Sequence, residues 1–129
     1  MAAPFFVAVA YFAGWIGLQW PDGVAPQIWF WSLIGYPVCE ELIFRGVLQR
    51  ELLRYAIFSS SWMGVSLANL TTSVVFASVH VIWFANPSKA VVLLPSLIIG
   101  HVYERAGGLK SAIAVHGWYN LVGFCWFWA

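Results

Sequence analysis

Charge is scarce in this sequence of 129 residues. Only 9% of the residues are Asp, Glu, Lys or Arg, and six basic against five acidic side chains give a formal net charge of +1. A soluble domain is about 25% charged, so this shortage excludes an ordinary water-exposed globule. The near-neutral balance also excludes a basic surface for nucleic acid. Hydrophobic residues instead make up 62% and the mean hydropathy is +0.81, which excludes a disordered chain and indicates a protein surrounded by lipid.

Cysteine and the common hydrolase motifs are equally sparse. Cys39 and Cys125 form no CxxC and have no Cys/His ligand spacing, which excludes a zinc finger or a redox motif, and we expect both thiols to be buried and free. The sequence contains neither GxSxG nor HExxH. No basic residue precedes the first apolar stretch, so we interpret this stretch as a retained membrane segment rather than a signal peptide.

Five apolar segments dominate what remains. A spanning helix needs about 20 mostly apolar residues, whereas a membrane β-strand alternates apolar and polar residues over about 10 positions. These segments are continuously apolar, so the sequence predicts an all-α fold: a polytopic membrane helical bundle of about five transmembrane helices, forming one domain over residues 1–129. The predicted helices cover residues 4–20, 27–49, 62–84, 90–103 and 109–128.

The charges outside these segments predict the orientation of the chain. With the N-terminus inside, the inner ends and loops contain four basic residues, and the outer loops contain only Asp22 and Lys89. An excess of Lys and Arg on the cytoplasmic side is the usual bias. The inner set is Arg50, Arg54, Arg105 and Lys110.

Several polar side chains nevertheless lie where lipid is expected. An ionisable group near the middle of a spanning helix costs roughly 2.5–3.5 kcal/mol, and such groups usually face a cavity or a partner. Their number here indicates a shared polar interior. They are Glu40, Glu41, Arg45, His80, His101, His116 and Asn120.

The two glutamates cannot have the same role, because neighbours on a helix differ by about 100° in direction. Glu41 and Arg45 are spaced i, i+4 and can form an ion pair on one face. Glu40 points elsewhere, and a carboxylate with a second carboxylate beside it in an apolar environment is suited to act as a general base. The alternative is that these three residues form a charge cluster that only holds helices together.

The histidines supply further groups. His116 and Asn120 are spaced i, i+4, so they can present an imidazole and a carboxamide to the same ligand oxygen as an oxyanion site. A hydrogen bond between helices is the alternative for this pair. His80 shares a face with Phe76, and it is either a group that orients water or a packing residue. Helix lengths put His80 about 6–9 Å nearer the outer face than Glu40 or His116. No specific role is predicted for His101.

A water molecule activated by Glu40 is the chemistry that these groups favour. Residues 39 and 40 are neighbours and do not face each other, which argues against a Cys39 nucleophile. The water, oriented by His80, would attack a carbonyl whose oxygen is held by His116 and Asn120. A zinc version, with Glu40, His80 and His116 as ligands and one open position, also fits the residue types, and the residues alone do not separate the two.

Three motifs in the same order resemble the CAAX protease and bacteriocin-processing (CPBP, or Abi) family of intramembrane proteases. Residues 40–45 resemble its EExxxR motif, residues 76–80 its FxxxH motif, and residues 116–120 its closing HxxxN motif. The resemblance covers about residues 32–122.

The resemblance implies an intramembrane endopeptidase that forms no covalent intermediate. Glu40 would activate the water, Glu41 and Arg45 would support Glu40, and His80 would orient water. His116 and Asn120 would form the oxyanion side. The glutamate mechanism without a cofactor is favoured over the zinc mechanism.

The short chain suggests a compact bacterial form in the inner (cytoplasmic) membrane. It would trim a membrane-anchored protein or peptide at a C-terminal sorting signal or a leader segment. We expect the lipid bilayer and this substrate as partners, and no nucleic acid, while the oligomeric state is left open. Two other classes are a proton or ion pathway, which also uses Glu and His, and a non-catalytic immunity or scaffold protein. Replacing Glu40 by glutamine would separate them.

Overall fold

A long first helix with two π-helical segments brings the glutamates into the fold. The computed structural model describes residues 23–106 and 108–127. Helix α1 runs without interruption over residues 26–52. It is built from α-helix at Pro26–Phe30, π-helix at Trp31–Gly35, α-helix at Tyr36–Glu41, π-helix at Leu42–Gln49 and α-helix at Arg50–Leu52.

Proline positions explain part of this shape. Pro26 begins α1, where its missing N–H group is not needed. Pro37 lies inside the helix, where proline cannot donate a backbone hydrogen bond and its ring crowds the preceding turn. The π-helical turn at Trp31–Gly35 comes directly before Tyr36 and Pro37. Such turns are rare and often occur at functional sites.

A short hairpin lies between α1 and the next long helix. After helix α2 (Ala56–Ser59), strands β1 (Ser61–Trp62) and β2 (Val65–Ser66) pair antiparallel. The two turn residues, Met63 and Gly64, have φ angles of 51° and 82°, as a two-residue hairpin turn of the I′ type requires.

This hairpin corrects the third predicted helix, which begins at Leu67 instead of residue 62. Two consecutive residues in the left-handed region cannot continue a right-handed helix. Ser66 is the N-cap of this helix, and its Oγ accepts a hydrogen bond from the Asn69 backbone N–H at 2.9 Å. This is the usual capping arrangement of a serine.

Three further helical elements complete the described chain. Helix α3 is Leu67–Trp83, a 3₁₀ segment covers Pro87–Val92, helix α4 is Leu93–Arg105 and helix α5 is Leu109–Phe127. Helix α4 therefore starts three positions later than the predicted fourth helix, because the first predicted residues belong to the 3₁₀ segment. Pro95 lies in the first turn of α4, where proline is tolerated.

Polar side chains fill the interior of this bundle and apolar side chains cover its outside. Among the described residues, nine buried side chains are polar or charged and six are hydrophobic. The polar set is Glu41, Arg45, Gln49, Ser66, Asn69, Thr72, Ser73, Ser96 and His116. Large apolar side chains are exposed along α1, α3 and α4, the reverse of a water-soluble fold.

The predicted helical class is confirmed, with the small hairpin as an addition. The predicted helix at residues 4–20 lies outside the described residues. Over residues 23–106 and 108–127, no helix is both long enough and apolar enough to span a membrane. The expectation that Cys39 is buried is wrong: its thiol is unpaired and exposed, because residue 39 lies on the outer side of α1. The Cys125 side chain is outside the described part of the chain.

Candidate active site

Glu41 is at the centre of the buried polar interior. Its carboxylate is completely buried, and one oxygen, Oε1, accepts hydrogen bonds from Arg45 Nη1 at 2.9 Å and from His116 Nδ1 at 2.7 Å. The ion pair predicted from the i, i+4 spacing is therefore present. The contact with His116 joins α1 to α5 across 75 positions of sequence.

The bond to Glu41 fixes the state of the His116 ring. A carboxylate oxygen only accepts, so Nδ1 carries the proton and donates it to Glu41. The other ring nitrogen, Nε2, faces Glu40 and lies 3.6 Å from Glu40 Oε2. This separation is longer than a direct hydrogen bond, and a polar contact of this length is a common position for a bridging water. His116 can act on a ligand only through Nε2.

Glu40 and Glu41 differ in accessibility. The Glu40 side chain is 29% exposed and the Glu41 side chain is 0% exposed. Glu40 lies within electrostatic range of His116, His80, Glu41 and Arg45. Glu40 is therefore the carboxylate that a substrate or a water molecule can reach, and Glu41 is the internal support.

His80 approaches this group from α3. Its Nδ1 is 3.0 Å from the carbonyl oxygen of Phe76, and since a carbonyl only accepts, Nδ1 donates and Nε2 is left as an acceptor. The His80 ring stacks in a tilted arrangement on the Phe76 ring at 4.3 Å between centroids. His80 is half-buried.

Phe76 is the common apolar contact of the site, and sequence reasoning gave it no role. Its ring centroid is 6.0 Å from that of His116 and 4.9 Å from that of Phe44, both in edge-on arrangements. The guanidinium carbon of Arg45 lies 5.3 Å from the same centroid, within the range of a cation–π interaction. Phe76 thus packs against both histidines and the arginine, which fixes their relative positions.

A chain of hydrogen bonds through small polar residues of α3 and α4 holds the Arg45 side chain in place. Arg45 Nη2 donates to the backbone oxygen of Ser96 at 2.8 Å and to its Oγ at 2.7 Å. Ser96 Oγ donates to Ser73 Oγ at 3.0 Å, and Ser73 Oγ donates to Asn69 Oδ1 at 3.1 Å. Asn69 Nδ2 donates to the carbonyl of Leu97 at 2.9 Å. Sequence reasoning missed this chain, although small polar residues inside apolar segments are its signal.

Gly100 lets α3 and α4 approach at this chain. A Cβ at position 100 would collide with the side-chain oxygen of Asn69. Glycine is therefore needed where the two helices cross.

A second group of buried polar contacts surrounds Glu104. Glu104 Oε1 accepts from Gln49 Nε2 at 2.7 Å and from Ser66 Oγ at 2.6 Å, which ties α1, α3 and α4 together. His101 belongs here and not to the site. Its Nδ1 is 2.8 Å from the carbonyl oxygen of Gly64, so it holds the hairpin turn.

Asn120 and His116 do not use the same partner. Asn120 Nδ2 donates to the backbone carbonyl of Ser32 at 2.8 Å, whereas His116 Nδ1 donates to Glu41. Each side chain thus donates one N–H to a residue of α1. The common oxyanion role predicted for the pair stays a prediction.

The proposed zinc ligands are not gathered into a metal site. Within residues 23–106 and 108–127, no group of three or more His, Cys, Asp or Glu side chains is arranged so that it could hold a metal ion. The alternative with Glu40, His80 and His116 as zinc ligands stays a prediction.

Comparison with known proteins agrees with the three motifs. The family model of Rce1-like type II CAAX prenyl endopeptidases matches residues 22–122, which include all six predicted site residues. This confirms the resemblance to CAAX-type proteases. No curated protein and no solved structure shows a significant match to the chain.

Proposed function

Because the chain belongs to the family of Rce1-like type II CAAX prenyl endopeptidases, we propose that it hydrolyses a peptide bond in a membrane-anchored protein or peptide. The nucleophile is a water molecule activated by Glu40, and no covalent intermediate forms. His116 acts on the oxyanion side, while Glu41 and Arg45 support both groups.

One observation carries the proposal: His116 lies between two carboxylates that differ in accessibility. Its Nδ1 is 2.7 Å from the buried Glu41 and its Nε2 is 3.6 Å from the partly exposed Glu40. A base next to an imidazole whose other nitrogen is fixed by a third group is an arrangement that recurs in hydrolytic sites. A purely structural cluster would not need one accessible carboxylate.

The reaction follows from these positions. Glu40 takes a proton from the water. The water oxygen attacks the carbonyl carbon of the substrate, and the carbonyl oxygen becomes an oxyanion. His116, with a hydrogen on both ring nitrogens, donates a hydrogen bond from Nε2 to this oxyanion while Nδ1 stays bonded to Glu41. The C–N bond then breaks, and Glu40 returns the proton to the leaving amine.

His80 orients the water in this proposal. Since its Nδ1 donates to the Phe76 carbonyl, its Nε2 can accept a hydrogen from water. The water then keeps its second hydrogen for Glu40 and turns its lone pair to the substrate. Packing on Phe76 holds the ring in this orientation.

The distribution of polarity supports a site inside a lipid environment. Glu41, Arg45 and Gln49 are fully buried, while large apolar side chains such as Ile43 and Val47 are about 60% exposed on the same helix. Exposed apolar surface on this scale indicates contact with another apolar phase. We propose a multi-pass protein of the bacterial inner membrane whose substrate carries a hydrophobic or lipid anchor, either a C-terminal sorting signal or a leader segment.

Glutamine at position 40 tests the assignment. Glu40→Gln keeps the size of the side chain and its capacity for hydrogen bonding but removes the base. We expect the purified variant to stay folded and to lose cleavage of a peptide tethered to liposomes, whether the tether is a hydrophobic segment or a prenylated cysteine. Mass spectrometry of the products measures cleavage.

Glu51→Gln is the matched control, since Glu51 is exposed and contacts Arg54. This variant should cleave at the wild-type rate. A Glu40→Gln variant that cleaves as fast as the control would refute the role of Glu40. Altered proton flux through the liposomes, without any cleavage by the wild type, would favour a proton pathway instead.

A further inference from the structure

The carbonyl group of Ser32 lacks the backbone donors that the α-helical and π-helical patterns would give it. In an α-helix it would accept from the N–H of Tyr36, but that N–H donates to the carbonyl of Trp31 in the π-helical turn. In the π-helical pattern, where each N–H bonds five residues back, its partner would be residue 37. Residue 37 is proline, which has no N–H to donate.

Asn120 supplies the missing donor from another helix. Its Nδ2 donates to the Ser32 carbonyl at 2.8 Å in a part-buried environment. A buried carbonyl without a partner is unfavourable, so nearly all of them in folded proteins are paired. The carboxamide of Asn120 therefore takes the place of the N–H that Pro37 lacks.

Leu33, next to Ser32 on α1, and Gly117, about one turn before Asn120 on α5, show how closely the two helices meet. A Cβ at Gly117 would lie 2.6 Å from the carbonyl oxygen of Leu33, which is too close for any side chain. Backbone thus lies against backbone at Leu33 and Gly117. The Asn120 bond is one helical turn beyond His116 on α5, and Pro37 is one turn before Glu41 on α1.

We propose that Pro37 and Asn120 form a positioning pair for the active site. Pro37 leaves the Ser32 carbonyl open, and Asn120 satisfies it, so that α5 can pack against α1 in the register set by the contact of Gly117 with the Leu33 carbonyl. This register brings His116 Nδ1 to Glu41 and His116 Nε2 towards Glu40. Asn120 is then a positioning residue, and its first role is toward Ser32 rather than toward a substrate oxygen. The inference rests on the proposed peptidase function for its kinetic test but not for its structural test.

A double variant separates the two roles of Asn120. Asn120→Leu removes the donor and should lower kcat/KM roughly tenfold or more. Adding Pro37→Ala restores an N–H at position 37, so the Ser32 carbonyl regains a backbone partner in either helical pattern. We expect the double variant to recover most of the activity that Asn120→Leu loses.

Pro95→Ala provides the matched control, because Pro95 is a helical proline in α4. Combined with Asn120→Leu it should restore nothing. If Asn120 instead binds the substrate oxyanion, Pro37→Ala cannot replace it, and the double variant stays as inactive as Asn120→Leu. That result would overturn the proposal.

A readout without substrate tests the contact itself. The sequence contains three Ser–Leu pairs, at residues 32–33, 66–67 and 96–97. A carbonyl–amide NMR spectrum of the full chain in micelles, labelled with [13C′]serine and [15N]leucine, therefore contains three cross-peaks. Asn120→Leu should move the Ser32 carbonyl resonance and leave the other two in place, and Pro37→Ala should move it back.

The activity and the NMR spectrum together distinguish a failure of the peptidase assignment from a failure of the pairing of Pro37 with Asn120. If the wild-type chain cleaves no peptide but the Ser32 resonance responds as described, the peptidase assignment fails and the pairing of Pro37 with Asn120 holds. If the Ser32 resonance does not move in Asn120→Leu, the pairing is wrong whatever the activity.

Discussion

Replacing Glu41 by glutamine measures how much the buried charge contributes to stability. The chain offers a matched comparison, because Glu41–Arg45 and Glu51–Arg54 both have an N···O distance of 2.9 Å. The first pair is 0% exposed on both sides, and the second is 49% exposed at Glu51 and 64% at Arg54. An equal distance with opposite burial allows the effect of the environment to be compared.

The two variants should differ strongly in the free energy of unfolding. Removing one partner of a buried ion pair costs about 3–5 kcal/mol, because the other charge is left uncompensated. We expect the lower end, about 3 kcal/mol, for Glu41→Gln, since glutamine still accepts a hydrogen bond and Arg45 keeps its two bonds to Ser96. An exposed pair contributes about 0–1 kcal/mol, and Glu51→Gln should fall in that range.

Activity provides the second half of this test. A glutamine can present its NH₂ group to His116 Nδ1, which then accepts instead of donating, and this disfavours the doubly protonated ring that the proposed mechanism uses. The corresponding change in the serine-protease triad lowers kcat by about 10⁴, and we expect a loss of roughly 10²–10⁴ here.

Unfolding is followed by circular dichroism in mixed micelles titrated with SDS, and kcat by cleavage of the tethered peptide. Equal destabilisation by the two substitutions, or a wild-type kcat for Glu41→Gln, would refute the reasoning.

Contacts within one helix could be predicted from the sequence, and contacts between helices could not. The Glu41–Arg45 pair needs only the helical repeat, and it is present. The same repeat puts His116 and Asn120 on one face of α5, but it says nothing about what faces them. Glu41 and Ser32 do. They lie 75 and 88 positions away in the sequence, so only the packing of α5 on α1 brings them into contact.

The helix end that set the predicted depth of His80 was wrong for a local reason. A helix from residue 62 puts His80 about 6–9 Å further from the inner end than Glu40 or His116. The helix starts at Leu67 instead, five residues later, which at 1.5 Å per residue removes about 7.5 Å. The turn at Met63 and Gly64 depends on their positive φ angles. Hydropathy across residues 62–66 does not report backbone angles, so it could not predict the hairpin.

Three further predictions concern metal, the hairpin and the contact between α1 and α5. If the glutamate mechanism is correct, cleavage should survive exhaustive chelation, and elemental analysis of the active protein should detect no stoichiometric metal; loss of activity that zinc restores would contradict it. His101→Ala removes the bond to the Gly64 carbonyl and should cost about 1 kcal/mol. Hydrogen exchange across residues 61–66 should become faster while kcat is kept, and a lost kcat would connect the hairpin to the site. Gly117→Ala adds a Cβ 2.6 Å from the Leu33 carbonyl oxygen, whereas a Cβ at Gly123 on the same helix meets nothing within 4 Å. We therefore expect Gly117→Ala to lose about 1–3 kcal/mol of stability, since a backbone carbonyl cannot move aside as a side chain can, and to lose activity as α5 shifts. Gly123→Ala should do neither, and similar unfolding curves for the two variants would mean that α1 and α5 are not in backbone contact.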